Sequence, residues 1–194
     1  MPSENAHIRI IGSTPLSADW GKLTKYTFDL RRRDGEWQRQ SREVYDRGNG
    51  ATILLYNRRK GSVILTRQFR LPLFVNQHSG FLLEAAAGLL DELAPEERIK
   101  QEAEEETGYR LEQVEKVFTA WMSPGSVSEK LHFFIAEYDD GRRISDGGGL
   151  VEEGEDIEVV EMDFATALAA IRSGEIADGK TIMLLQHLAL EKLM

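Results

Sequence analysis

Polar and apolar positions alternate with period two over residues 7–12 and 23–31, the pattern of strands with one face turned to water. Asp34-Gly35 follows, a pair suited to a tight hairpin turn, and residues 37–45 return as the second arm. Gly48-Asn49-Gly50 interrupts the pattern before an apolar run at 51–56, and a basic turn at 58–61 leads into a further strand at 62–69. Together these segments predict an antiparallel β region. Residues 71–80, with a proline and mixed polarity, read as a loop, and 81–90 (FLLEAAAGLL) as a short apolar strand closed by Gly88. Pro95 and Gly108 bracket a helix of about three turns, because proline suits a first helical position and glycine a left-handed stop. Ile99 and Ala103 supply its apolar face. Residues 114–122 and 131–138 predict two strands around a Ser-Pro-Gly loop, and 139–155, rich in glycine and acid, an exposed loop. A strand at 157–162 and helices at 164–172 and 181–193 complete the chain. Mixed strands with a few helices predict an α+β or layered α/β/α domain.

Composition narrows the chemistry. The chain has 194 residues, 41% of them apolar, enough for one domain with a buried core. It has no cysteine, which excludes disulfides, thiolate metal sites and cysteine nucleophiles. No apolar run is long enough to cross a bilayer, and the N-terminus lacks the basic and apolar regions of a signal peptide. A cytoplasmic protein with no membrane partner is expected. The net charge of −9 speaks against nucleic acid, whose binding relies on cations at the phosphates. That charge is unevenly spread: residues 1–80 carry 14 basic and 7 acidic side chains, residues 81–194 carry 10 and 26. Eight acids fall in 91–106 and eight more in 139–158, a density that marks a solvated face or a cation site. A ligand that is both anionic and metal-bound would join the two halves. The four histidines, His7, His78, His132 and His187, never pair at metal-ligand spacing, and no serine sits in a nucleophile-elbow pattern.

The chemistry concentrates between Gly88 and Tyr109. On a helix, Glu102 and Glu106 stand one turn apart on the same face, flanked by Glu105. Like charges at that spacing destabilise a helix by roughly 0.2–0.5 kcal/mol per pair, and a hard divalent cation with oxygen ligands would offset this. The segment resembles the Nudix hydrolase box: Gly, five residues, Glu, seven residues, then Arg-Glu-apolar-any-Glu-Glu-any-Gly-apolar. Glu102, Ala103, Glu105, Glu106, Gly108 and Tyr109 match its second half. Gln101 stands at the box's arginine, Ala94 at its early glutamate, and the spacing from Gly88 is one residue short. Further motifs, Arg42-Glu43-Val-Tyr-Asp-Arg47-Gly-Asn-Gly-Ala, Arg67-Gln-Phe-Arg70, Met122-Ser-Pro-Gly125 and Asp178-Gly-Lys180-Thr, are similar to those of the ADP-ribose pyrophosphatase-like branch, over about residues 16–190.

The resemblance implies a Nudix-type α/β/α sandwich over 47–194, preceded by an antiparallel β segment over 1–46 that serves a homodimer. It implies Mg²⁺-dependent hydrolysis, with Mn²⁺ as a substitute, of the diphosphate of GDP-mannose to GMP and mannose 1-phosphate. ADP-ribose or another nucleoside-diphosphate sugar is the alternative substrate, and a nucleotide sensor without catalysis the alternative class. Glu102, Glu106, Glu155 and the Ala87 carbonyl would be metal ligands, and Glu105 a ligand to a further ion or a positioner. Glu152 or Glu153 would serve as general base. Arg70 would clamp phosphate with its guanidinium fork. Arg42 and Glu43 would recognise base and ribose, while Glu129 and Lys180 would contact substrate. Trp20 would lie over the nucleobase, or else take part in ordinary packing. The three glycines at 147–149 would let the acidic loop close over the site.

Overall fold

The computed structural model describes residues 6–90 and 92–194, which divide into two compact units: residues up to 49 together with 121–130, and residues 50–120 with 131–194.

The first unit is a three-stranded antiparallel sheet in the order β1 (Ile8–Ala18), β2 (Lys22–Arg31), β3 (Trp37–Asp46). The β2–β3 hairpin turns at Asp34-Gly35 as the sequence predicts: Gly35 has φ +92°, and Asp34 Oδ1 accepts the Glu36 N–H at 3.1 Å. Across the ladder Asp29 receives Arg39 at 2.9 and 3.0 Å. β1 runs six residues beyond the alternating segment at 7–12. Gly12 and Pro15 are poor residues for a central strand, but β1 is an edge strand and its register shifts at Ile10/Gly12 and Pro15/Ser17, where both are tolerated. The 121–130 segment joins this unit through Tyr45, whose N–H donates to Ser126 O at 2.8 Å and whose carbonyl accepts the Ser128 N–H at 3.0 Å.

The second unit is a mixed sheet between helices. β4 (Gly50–Asn57) pairs in parallel with β9 (Lys130–Glu137), which neighbours β8 (Glu115–Trp121). On its other edge β4 meets β5 (Ser62–Phe69) only at Leu55–Asn57, and beyond that point the two strands separate. The gap is filled by one stretch of chain in two pieces: β6 (Phe81–Glu84) pairs with the far half of β5, and β7 (Ala86–Leu89) with the near half of β4. β10 (Glu158–Asp163) closes the opposite edge of β5. What reads in sequence as a single strand over 81–90 is thus two, with Ala85 at the junction. Residues 71–75, read as loop, form a one-turn helix, α1 (Leu71–Val75), started by Pro72.

Every residue of β4 is buried, as a strand covered on both faces requires. Ile53 and Leu55 pack with Ile99 and Ala103 of α2 (Pro95–Thr107), together with Phe134 and Ala136. By strand alternation Thr52 and Leu54 face the other side, where α4 (Gly179–Leu190) lies on β4 and α3 (Phe164–Ser173) on β5 and β10. The layered α/β/α arrangement follows. No helix among the described residues is long and apolar enough to cross a membrane.

Candidate active site

Helix α2 carries the first part of the site. Pro95 opens it, Glu96 and Glu97 meet the positive end of its dipole, and Gly108 ends it in the left-handed conformation at φ +79°. Its buried face presents Ile99 and Ala103 to the core, and the same face delivers Glu102 and Glu106, 6% and 1% exposed. Glu102 lies against Gly88 of β7 so closely that a Cβ at residue 88 would overlap its carboxylate, which explains the glycine there. Ala87, the proposed carbonyl ligand, is the adjacent residue of β7, paired with Thr52.

Burial pushes the Glu102 carboxyl up to about 7; Arg98 opposes the shift, and Glu105, Glu155 and Glu153 add to it. Burial likewise holds Glu106 well above the usual carboxylate range, reinforced by Glu102, Glu155 and Glu84 and opposed by Arg70. These mutual effects place Glu102, Glu105, Glu106, Glu153 and Glu155 in one electrostatic neighbourhood. Glu106 Oε2 is buried without a hydrogen-bond partner. A desolvated carboxylate oxygen left unpaired costs free energy unless a cation meets it.

The loop that supplies Glu155 is tied to α2. Gly148 and Gly149 donate to the carbonyls of Glu106 and Glu105 at 3.0 and 3.1 Å, capping the end of the helix. Gly147, Gly148 and Gly149 have φ of +70°, +111° and +77°, and a Cβ at 147 would overlap the Glu106 carbonyl. The glycines are therefore required by close approach and left-handed turns, a different reason from the loose hinge expected of them. Glu155 Oε2 accepts the Leu150 N–H at 2.9 Å, while Glu152 and Glu153 lie exposed on a 3₁₀ turn between these residues.

Sequence reasoning missed the centre of the second part, Glu84. This carboxylate, 2% exposed, takes Arg70 Nε on Oε1 at 2.7 Å and Lys180 Nζ on Oε2. Lys180 also donates to Asp178 at 3.0 Å. Arg70 and Lys180, separately proposed as substrate contacts, are thus held as a pair by one buried acid. A lone glutamate inside the apolar stretch FLLEAAAG was the available signal. Asp178 caps α4 by accepting the Thr181 N–H at 3.0 Å and the Thr181 hydroxyl at 2.5 Å. The Thr181 oxygen in turn receives the Ala85 N–H at 2.7 Å, and Thr66 and Thr52 donate to the carbonyls of Glu84 and Ala86 at 3.1 and 3.0 Å. Three buried threonines thereby satisfy the backbone where β6 gives way to β7.

The remaining candidates lie in the first unit. Trp20 is 69% exposed, beside Gly21, where a Cβ would meet the Tyr45 hydroxyl at 2.5 Å. Arg42 and Glu43 are exposed on β3, Arg42 donating to the Ser41 carbonyl at 2.8 Å. Glu129 is buried and paired with Arg47 at 2.6 Å.

Among the described residues no three acids or imidazoles converge into a ready-made metal cage. Two carboxylates, completed by water and substrate oxygens, is nevertheless how Mg²⁺ is commonly held, and the unpaired Glu106 oxygen fits a cation.

Two family models match the chain: the GDP-mannose pyrophosphatase NudK N-terminal domain over residues 7–45, and the NUDIX domain over 46–181. The GDP-mannose pyrophosphatase of Pectobacterium atrosepticum is 61% identical over 181 residues, 93% of either chain. That of Cronobacter sakazakii is 53% identical over 189 residues, 97% of this chain and 98% of its own. That of Yersinia pestis is 58% identical over 173 residues, 89% and 86%. The NUDIX match takes in Glu84, Arg70, Lys180 and all the clustered carboxylates, and with likeness along nearly the whole length it makes this chain a member of the Nudix hydrolase family.

Proposed function

We propose that the chain hydrolyses the diphosphate of GDP-mannose, giving GMP and mannose 1-phosphate, with Mg²⁺ as its cation and Mn²⁺ as a substitute. The observation that carries this is the buried pair Glu102 and Glu106, with one oxygen unsatisfied, inside the field of the Arg70 guanidinium. A diphosphate bearing a divalent cation complements both charges at once. The choice of sugar nucleotide is supported by relatives of 53–61% identity that carry the name GDP-mannose pyrophosphatase.

Nudix hydrolases generally use divalent cations. Here Glu102, Glu106, Glu155 and the Ala87 carbonyl would hold one, and it would neutralise diphosphate oxygens and make a bound water more acidic. The protein's own groups do the rest. Arg70 and Lys180, preset by Glu84, meet phosphate oxygens without having to be ordered first. Glu105 steadies the carboxylate array. Glu152 or Glu153, both exposed on the 3₁₀ turn that follows the glycines, is assigned to accept the proton of the attacking water. Trp20, Arg42, Glu43 and Glu129 are assigned to the nucleoside and sugar.

The chain works as a homodimer through residues 1–46. Between residues 6 and 49 only Gly21 is buried, while Ile10, Ile11, Leu16 and Trp20 are about half or more exposed, too open a surface for a sheet that stands alone. Its place is the cytoplasm, and neither nucleic acid nor membrane is a partner.

The test is product identification with GDP-mannose and ADP-ribose in parallel, with Mg²⁺ and with chelator. Mg²⁺-dependent release of GMP, faster than AMP from ADP-ribose, is expected. Faster AMP release would move the substrate, and tight nucleotide binding without turnover would replace the enzyme by a sensor.

A further inference from the structure

Gln101 occupies the position at which the Nudix box has arginine, and it is exposed and uncharged. One turn earlier on the helix, Arg98 is largely buried, its side chain 16% exposed. Its guanidinium meets Glu102 Oε1 at 2.5 Å and lies 3.6 Å from Glu105 Oε2. Its Nε donates to the Leu89 carbonyl at the end of β7 at 3.4 Å, and Nη1 to the Gln101 side chain at 3.4 Å. Residues 98, 102 and 105 follow the i, i+4, i+7 spacing of one helical face, so a cation at 98 addresses both carboxylates directly, whereas residue 101 is turned about 100° from 102. Glu102 therefore packs against Gly88 and is held by the Arg98 guanidinium.

We propose that Arg98 is a positioning residue for the cation site: it fixes Glu102 and Glu105 in place and ties the ligand-bearing helix to the end of β7, so that the chain keeps its metal-binding geometry with glutamine at 101. This rests on the proposed divalent-cation site and adds to it a residue that does not touch the substrate. Side chains that orient a metal's ligands generally govern metal affinity by a factor of about 10–100.

The experiment is Mn²⁺ titration of the substrate-free protein, followed by calorimetry or electron paramagnetic resonance, for the wild type, Arg98→Gln, Arg98→Lys and Gln101→Ala. Far-ultraviolet circular dichroism establishes that each is folded. Arg98→Gln keeps a helix-forming side chain of similar length and is expected to weaken Mn²⁺ binding about 10–100-fold. Arg98→Lys, which keeps the charge but loses the fork, recovers part of that loss, and Gln101→Ala binds as the wild type does. Equal affinity in Arg98→Gln and wild type would overturn the positioning role alone, as would a loss in Gln101→Ala matching that in Arg98→Gln. Absence of Mn²⁺ binding by the wild type would instead overturn the cation site itself, and this role with it.

Discussion

Glu84 and Glu106 are both buried carboxylates, and they meet the cost of leaving water in opposite ways. Glu84 has both oxygens claimed, by Arg70 and Lys180. Glu106 keeps one oxygen with no partner. On the proposed reading the first holds the side chains that face phosphate, and the second is an open ligand for the cation. Glu84→Gln leaves Arg70 and Lys180 without their shared countercharge. Breaking a buried pair in this way costs about 3–5 kcal/mol, read as a lowered urea midpoint, and KM for the sugar nucleotide should rise more than kcat falls. For the metal-free protein the sign of the pH dependence follows from Glu102. Folded, it keeps its proton up to about 7; unfolded, it loses it in the ordinary carboxylate range. The native state therefore binds the extra proton between those limits, and its stability falls as pH rises through them. Melting temperatures without metal should drop between pH 5 and pH 8, more shallowly in Glu102→Gln, and added Mg²⁺ should restore most at the higher pH. A slope equal in wild type and variant would contradict the role of Glu102.

At the scale of elements, the junction at Ala85 brings the parts together. β4 and β5 separate, β6 and β7 enter the gap, and Thr181 of α4 satisfies the Ala85 N–H while its neighbour Lys180 reaches Glu84. Thr181→Val would strand that buried N–H at about 1–3 kcal/mol, so the urea midpoint should fall. Much of this frame was visible in the sequence. Asp34-Gly35, Pro95 and Gly108 carry their conformations in their residue type, and α2 with its carboxylates follows from spacing. The junction was not visible, because FLLEAAAG is apolar enough for one continuous strand and its interruption depends on threonines 18 to 96 residues away along the chain. Glu84 and Arg98 were missed for the same reason: their meaning lies in what meets them across the fold. β1 outran its alternating segment because edge position, a tertiary fact, excuses Gly12 and Pro15.

At the scale of the molecule, the sheet of the first unit exposes Ile10, Ile11, Leu16 and Trp20, which a second copy would cover. Light scattering of the full chain should give twice the monomer mass of 22.0 kDa, and Ile10→Lys with Leu16→Lys should shift it toward the monomer. A monomer in the unaltered chain at micromolar concentration would contradict the dimer. The central claim is that Glu102 and Glu106 form a cation site at which a sugar-nucleotide diphosphate is cleaved. The most direct measurement is the rate of GMP release from GDP-mannose as Mg²⁺ is titrated, for the wild type and Glu106→Gln together. GMP release that rises with Mg²⁺ in the wild type and is lost at every Mg²⁺ concentration in the folded variant is the expected result. Equal rates in the two proteins would contradict the claim.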